Sequence, residues 1–216
     1  STYGPINNWD TSLITDMSLL FLESSFNGDI SGWDVSSVTN MDRMFAQTSV
    51  FNQDISDWDV SSVTDMRSMF DYADSFNQDI SDWDVSSVTD MSYMFYNADS
   101  FNGNISGWDV SSVTDMEAMF AVSEFNQDIS DWDISSVTNM RYMFYSATSF
   151  NQDISNWDVS SVIDMDNMFS SATSFNQDIS DWDVSSVTNM EKMFDNTDNL
   201  SDDNKCVIHT SFSSNS

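Results

Sequence analysis

The sequence predicts a repeat solenoid, a stack of coils that each pair one short parallel β-strand with a short α- or 3-10 helix. Tryptophan recurs at Trp9, Trp33, Trp58, Trp83, Trp108, Trp132, Trp157 and Trp182, in steps of 24 or 25 residues. The apolar residues around each tryptophan keep the same register. A unit this short cannot bury its own apolar face, so it must stack on its neighbours. The expected organisation is an N-terminal capping coil over 1–25, stacked repeats over 26–199, and a C-terminal cap and tail over 200–216.

The best-formed unit runs from Phe76 to Ser100 and reads FNQDISDWDVSSVTDMSYMFYNADS. Its opening phenylalanine recurs at Phe26, Phe51, Phe101, Phe125, Phe150 and Phe175. The steps Phe21 to Phe26 and Phe120 to Phe125 each lack one residue relative to Phe70 to Phe76. Loops tolerate such changes in length. Ile80, Trp83 and Val85 fit a strand with Trp83 and Val85 on one face. Val88, Met91, Met94 and Phe95 then follow at helical spacing. Ser87 and Asp90 form an [ST]-x-x-[DE] capping box, repeated at Ser62/Asp65, Ser112/Asp115 and Ser161/Asp164. The tryptophan and methionine ladders are expected in the core. The asparagine after each opening phenylalanine is expected to hydrogen-bond loop backbone and the next coil.

The ends depart from the pattern, as terminal repeats do. Thr11 replaces the strand valine, Leu20 replaces the second methionine, and Pro5 precedes Ile6. After Leu200, Ser201 is placed to N-cap a short helix through Cys206, Val207 and Ile208, with Cys206 buried beneath it.

Five basic residues face 36 acidic ones, a formal net charge of −31. Such a field repels phosphates, so nucleic acid is excluded as a partner and anionic membranes are disfavoured. It favours divalent cations, basic proteins, or a salty medium that screens the repulsion. One cysteine and one histidine leave no internal disulfide, no cysteine metal cluster and no mixed catalytic constellation, so no enzyme is expected. No stretch is long enough to span a bilayer.

The signature FNQDIS-x-WDVSSVT-x-M-x-x-MF, recurring from about Ile6 to Asn199, resembles the bacterial surface-protein repeat of about 26 residues, the BspA-like leucine-rich-repeat surface proteins. The resemblance implies leucine-rich-repeat-like coils, secretion or cell-surface display, and a role in adhesion or interaction. It implies no catalytic residues and names no ligand.

Three surfaces compete for function. On the strand face, Asp57/Asp59, Asp82/Asp84, Asp131/Asp133 and Asp181/Asp183 point outward, with Asp109 and Asp158 continuing one column. Stacked carboxylates repel. Either calcium, a cation that takes oxygen ligands in irregular geometry, bridges them, or each aspartate accepts local hydrogen bonds from neighbouring serines and stays solvated. On the helix side the repeat becomes variable and collects Tyr72, Tyr93, Tyr96, Tyr142 and Tyr145 with Arg43, Arg67 and Arg141. Tyrosine and arginine are typical interface anchors, and drift on a solvated face is the alternative. The third is a threonine column, Thr39, Thr64, Thr89, Thr114, Thr138 and Thr188, broken by Ile163; it is expected to serve helix starts. The expected function is a non-catalytic extracellular or cell-surface module for adhesion, protein interaction or matrix assembly. A calcium-dependent glycan-binding module is the alternative. No cofactor is required beyond an optional Ca2+. The expected partners are a protein or glycan surface, or another copy.

Overall fold

The computed structural model describes residues 4–214. The outermost residues of the expected capping coil (1–3) and of the expected tail (215–216) lie outside it.

Every repeat forms a coil that lies on the one before it, but the coil is not a strand followed by a helix. Among the described residues there is no sheet. Consecutive coils meet at single parallel bridges, Asp65↔Asp90 and Asp90↔Asp115 among them. The helices are a 3-10 turn at Ile6–Asn8 and α1 at Asp202–Ser214, both at the ends. The leucine-rich-repeat-like fold class is therefore replaced by a column of coils built from turns.

One coil shows why. The N–H of Trp83 donates to Ile80 O, Val88 to Val85 O, Met94 to Met91 O, and Ala98 to Phe95 O, at 2.9–3.2 Å. Each is a tight turn whose first and fourth residues are apolar and buried. Residues i and i+3 share a side in a β-turn as they do in a helix. The spacing in the sequence therefore fits both.

Backbone direction separates the two. Tyr93 and Asn97 adopt left-handed φ of 58° and 50°. The same two slots are left-handed in every coil, as at Arg43/Gln47, Ser68/Tyr72 and Ala118/Val122. This alternation aims every second N–H along the column. Met91, Tyr93, Phe95 and Asn97 donate to the carbonyls of Asp115, Glu117, Met119 and Ala121 of the next coil, at 2.7–3.0 Å. Thr89 donates backward to Thr64 O at 2.9 Å. A helix would spend these donors within itself. Left-handed φ costs a non-glycine residue roughly 1–2 kcal/mol. The bonds between coils and the burial they bring offset it.

The predicted capping box does not form. Asp90 Oδ1 instead accepts the Ser92 N–H at 2.9 Å, closing a turn over its own backbone. The same device recurs at Asp65 with Arg67 and at Asp115 with Glu117.

The core sits inside the column. Ile80, Trp83, Val85, Val88, Met91, Met94, Phe95 and Ala98 are each at most 3% exposed. Phe95 stacks on Phe101 at 3.9 Å and on Phe70 and Phe120 at 5.7 and 5.9 Å. The indole N–H of Trp83 reaches back to Ile55 O at 3.1 Å. Asparagine makes a second ladder: Asn77 N–H donates to Asn52 Oδ1 and Asn102 N–H to Asn77 Oδ1, at 3.0 and 3.2 Å. Where a coil is one residue short, Ser123 supplies the missing turn bond, its hydroxyl donating to Phe120 O at 2.7 Å.

At the C-terminus Ser201 caps α1, its Oγ accepting the Asn204 N–H at 3.2 Å. The ladder runs into this cap, because Asn176 Oδ1 accepts the Ser201 N–H at 2.9 Å. Ile208 is buried against the last coil, whereas Cys206 is exposed rather than buried. The thiol lies on the solvent side of α1. At the other end Trp9 is 46% exposed, with no coil stacked on its outer side among the described residues.

Candidate functional site

The aspartates expected on a strand lie on a ribbon of turns, and all of them are exposed. Asp84 Oδ1 accepts from the Ser86 N–H at 3.1 Å and from its hydroxyl at 2.6 Å. Asp59 with Ser61, Asp109 with Ser111, Asp133 with Ser135 and Asp158 with Ser160 repeat this pair of bonds. Asp183 accepts the Ser185 N–H at 3.0 Å. The serine hydroxyl and then its N–H hold the carboxyls of Asp84, Asp109, Asp158 and Asp183 below the usual carboxylate range. One oxygen of each is thus committed to its own turn.

The companion column, Asp57, Asp82, Asp131 and Asp181, carries no side-chain hydrogen bond among the described residues. Asp57 and Asp82 line an open groove between coils with Asp54, Gln78 and Asp79. Among the described residues, no three His, Cys, Asp or Glu side chains gather as a group that could hold a metal ion. The threonine column, expected at helix starts, is a coil-to-coil fastener. Thr89 donates both its N–H and its hydroxyl to Thr64 O, at 2.9 and 3.2 Å.

The variable face brings the tyrosines together across coils. Tyr96 lies 5.4 Å from Tyr72 and 5.8 Å from Tyr93, ring centre to ring centre. Tyr142 meets Tyr145 edge-on at 5.5 Å. The coil between the two groups carries Ala118 and Ala121, both buried. The Tyr93 hydroxyl donates to Glu117 Oε1 at 2.7 Å; burial and then that bond push its pKa up.

The arginines have partners within the chain. Arg67 forks onto Asp42, Nε and Nη2 each at 3.1 Å from a different oxygen. Arg141 Nε donates to Asp166 at 3.0 Å, and its guanidinium lies 4.6 Å over the Tyr142 ring. Arg43 lies 3.8 Å from Asp42. Asp42, Glu117 and Asp166 are therefore part of this face, although they were not among the candidate residues. Register would have found them: Asp42 and Arg67 are 25 residues apart, as are Arg141 and Asp166.

Asp71 was also missed. Burial pushes its carboxyl up to about 6 against the pull of Arg43, and its Oδ1 is buried with no hydrogen-bond partner. No local motif marks it. It shares a slot with Tyr96 and Ala121, so only the coil register shows where it lies.

The family described as "Mycoplasma protein of unknown function, DUF285" matches residues 1–107, 78–162 and 100–206. No curated protein and no solved structure matches the chain. The three overlapping matches follow the column from its first coil into α1, and on them the chain belongs to the DUF285 repeat family.

Proposed function

We propose that this chain is a non-catalytic module of the cell surface or extracellular space, and that it binds another protein through its tyrosine face. The gathering of Tyr72, Tyr93, Tyr96, Tyr142 and Tyr145 on one side of the column carries this reading. The core is complete without them, and their rings stand partly in solvent. Tyrosine offers large rigid contact area at low entropic cost and is enriched at protein interfaces. The arginines hold the carboxylates beside the rings, which lowers the charge of the patch locally. The remainder of the surface stays acidic and would steer a basic partner toward it. The resemblance to BspA-like surface repeats supports display outside the cell and a role in adhesion.

The test is direct binding. The chain is immobilised and probed with a panel of purified basic extracellular proteins and with a glycan array, each in calcium and in chelator. Protein binding is expected, and Tyr96→Ala with Tyr145→Ala should weaken it about tenfold or more. Glycan binding that requires calcium would replace this reading with the glycan-binding one. Protein binding indifferent to both tyrosines would overturn the assigned face.

A further inference from the structure

The rungs of the asparagine ladder are not equally held. Asn27 Oδ1 accepts the Asn52 N–H at 3.0 Å and Gln53 Nε2 at 2.9 Å. Asn52, Asn126 and Asn151 likewise accept the next asparagine's N–H together with the side-chain amide of Gln78, Gln152 or Gln177. Asn176 accepts the Ser201 N–H and Asn204 Nδ2. Asn77 and Asn102 are different. Their Oδ1 atoms accept a single bond each, from the N–H of Asn102 at 3.2 Å and of Asn126 at 2.9 Å. Among the described residues no side-chain amide clamps either one. Gly103 stands where another coil would send a glutamine back to Asn77, and Gln127 does not reach Asn102.

Glycine follows a ladder asparagine at two places, Asn27-Gly28 and Asn102-Gly103; elsewhere the following residue is glutamine. Both asparagines are exposed. Glycine has no side chain to shield its backbone nitrogen, and its backbone turns freely. The Gly103 N–H meets no acceptor among the described residues, so no bond ties up that nitrogen. Asn102 is thus the one rung that is both singly held and followed by glycine.

We infer that Asn102 is a site of self-modification, where the side-chain amide is lost to attack by the Gly103 nitrogen and the ladder is broken in mid-column. When the bond from the Asn126 N–H opens, the side chain is free to swing toward its own backbone. The Gly103 nitrogen gives its proton to water and attacks Asn102 Cγ. The N–Cγ bond forms, the Cγ–Nδ2 bond breaks, and Nδ2 takes up a proton and leaves as ammonia. Water then opens the five-membered succinimide. Hydrolysis at Cγ gives aspartate. Hydrolysis at the main-chain carbonyl gives isoaspartate, whose backbone runs through Cγ. Nothing is oxidised or reduced, and water is the only co-reactant. Aspartate keeps an oxygen for the Asn126 N–H. Isoaspartate adds a methylene to the main chain and takes the acceptor out of the ladder, so the coils on either side lose their link at this edge. Either product adds a negative charge to a chain already at −31. The site is a one-way timer on the stacking of the column.

The inference stands apart from the tyrosine face and is tested separately. Asn27 is an internal control, because Phe26, Asn27 and Gly28 repeat the local sequence of Phe101, Asn102 and Gly103. The folded full chain is incubated at pH 8, and peptide mass spectrometry follows the conversion of each asparagine to aspartate and isoaspartate. Asn102 should react about fivefold faster than Asn27, since one hydrogen bond fewer has to open. In urea that unfolds the chain, the two should react at the same rate. Gly103→Gln, which restores the residue found in other coils, should slow Asn102 about tenfold or more without lowering the thermal midpoint. Chains isolated with isoaspartate at 102 should melt below the fresh protein, and Asn102→Asp, which keeps the acceptor, should melt close to it. Equal rates at Asn27 and Asn102 in the folded chain overturn the inference. So does a Gly103→Gln chain that reacts as fast as wild type, or an Asn102 that stays intact while Asn27 reacts.

Discussion

The indole N–H of Trp108 donates to the carbonyl of Ile80, one coil earlier, at 3.0 Å. The same carbonyl accepts the Trp83 N–H at 3.2 Å, closing a turn. One oxygen thus fastens a turn within a coil and a side chain from the next, and a single indole serves as both core and clamp.

Trp108→Ala should therefore cost about 3–5 kcal/mol, from lost burial and a cavity that stiff neighbours cannot fill. Trp108→Phe keeps much of the apolar area and leaves the Ile80 carbonyl still bonded to Trp83. It should cost clearly less. Urea midpoints of the two variants check this, and equal midpoints would mean that volume plays no part.

The left-handed slots make a second prediction. Val122 holds a φ of 56°, which a β-branched residue strongly resists. Asn97 and Asn196 occupy the equivalent slot in other coils at 50° and 55°. Val122→Asn should raise stability by about 0.5–1.5 kcal/mol. A fall in thermal midpoint would show that contacts of the Val122 side chain outweigh its backbone strain.

These slots also explain what the sequence concealed. Period, core and both ladders are legible because Trp, Phe, Met and Asn recur in register. The coil's internal form is not. Met91 and Met94 face the same side in a helix and in a turn, so apolar spacing cannot choose between them. Glycine would have announced left-handed backbone, but Tyr93 and Asn97 stand there instead, held by bonds to Glu117 and Ala121 in the next coil. At the variable face the residue types were legible and their partners were not. Tyr93 meets Glu117 and Arg67 meets Asp42 only once the coils are set in register.

Asp71 should make stability depend on pH. Its folded carboxyl titrates at about 6, above the roughly 3.9 of an unfolded aspartate. The protonated form suits the fold. Its favourable share is complete below about pH 4 and is lost as pH rises through about 6. Asp71→Asn should stabilise the protein at pH 8 by about 1–2 kcal/mol, allowing for the part of the side chain that faces water, and change little at pH 4. An equal effect at both pH values would show that the carboxyl does not titrate in this window. Asp84 and Asp109 act in the opposite sense. Their pKa values are depressed in the fold, so their contribution is present above about pH 4 and lost as pH falls further.

The neighbouring aspartates Asp82 and Asp84 should answer differently to the same mutation. Asp84 spends an oxygen on the Ser86 turn, whereas Asp82 contributes charge alone. Asp84→Ala should destabilise by about 0.5–1 kcal/mol, small because the carboxylate is solvated. Asp82→Ala should be neutral or mildly stabilising at low salt, since Asp57 and other carboxylates of its column lose a like-charged neighbour. That gain should fade as salt screens the column. Melting curves in calcium and in sodium at matched ionic strength complete the test. A calcium bridge would raise the wild-type midpoint well above the sodium value, by RT ln(1 + [L]/Kd) per site, and Asp82→Ala would remove the rise. Equal midpoints in the two salts would leave Asp82 as a solvating charge and Asp84 as the fastener of its turn.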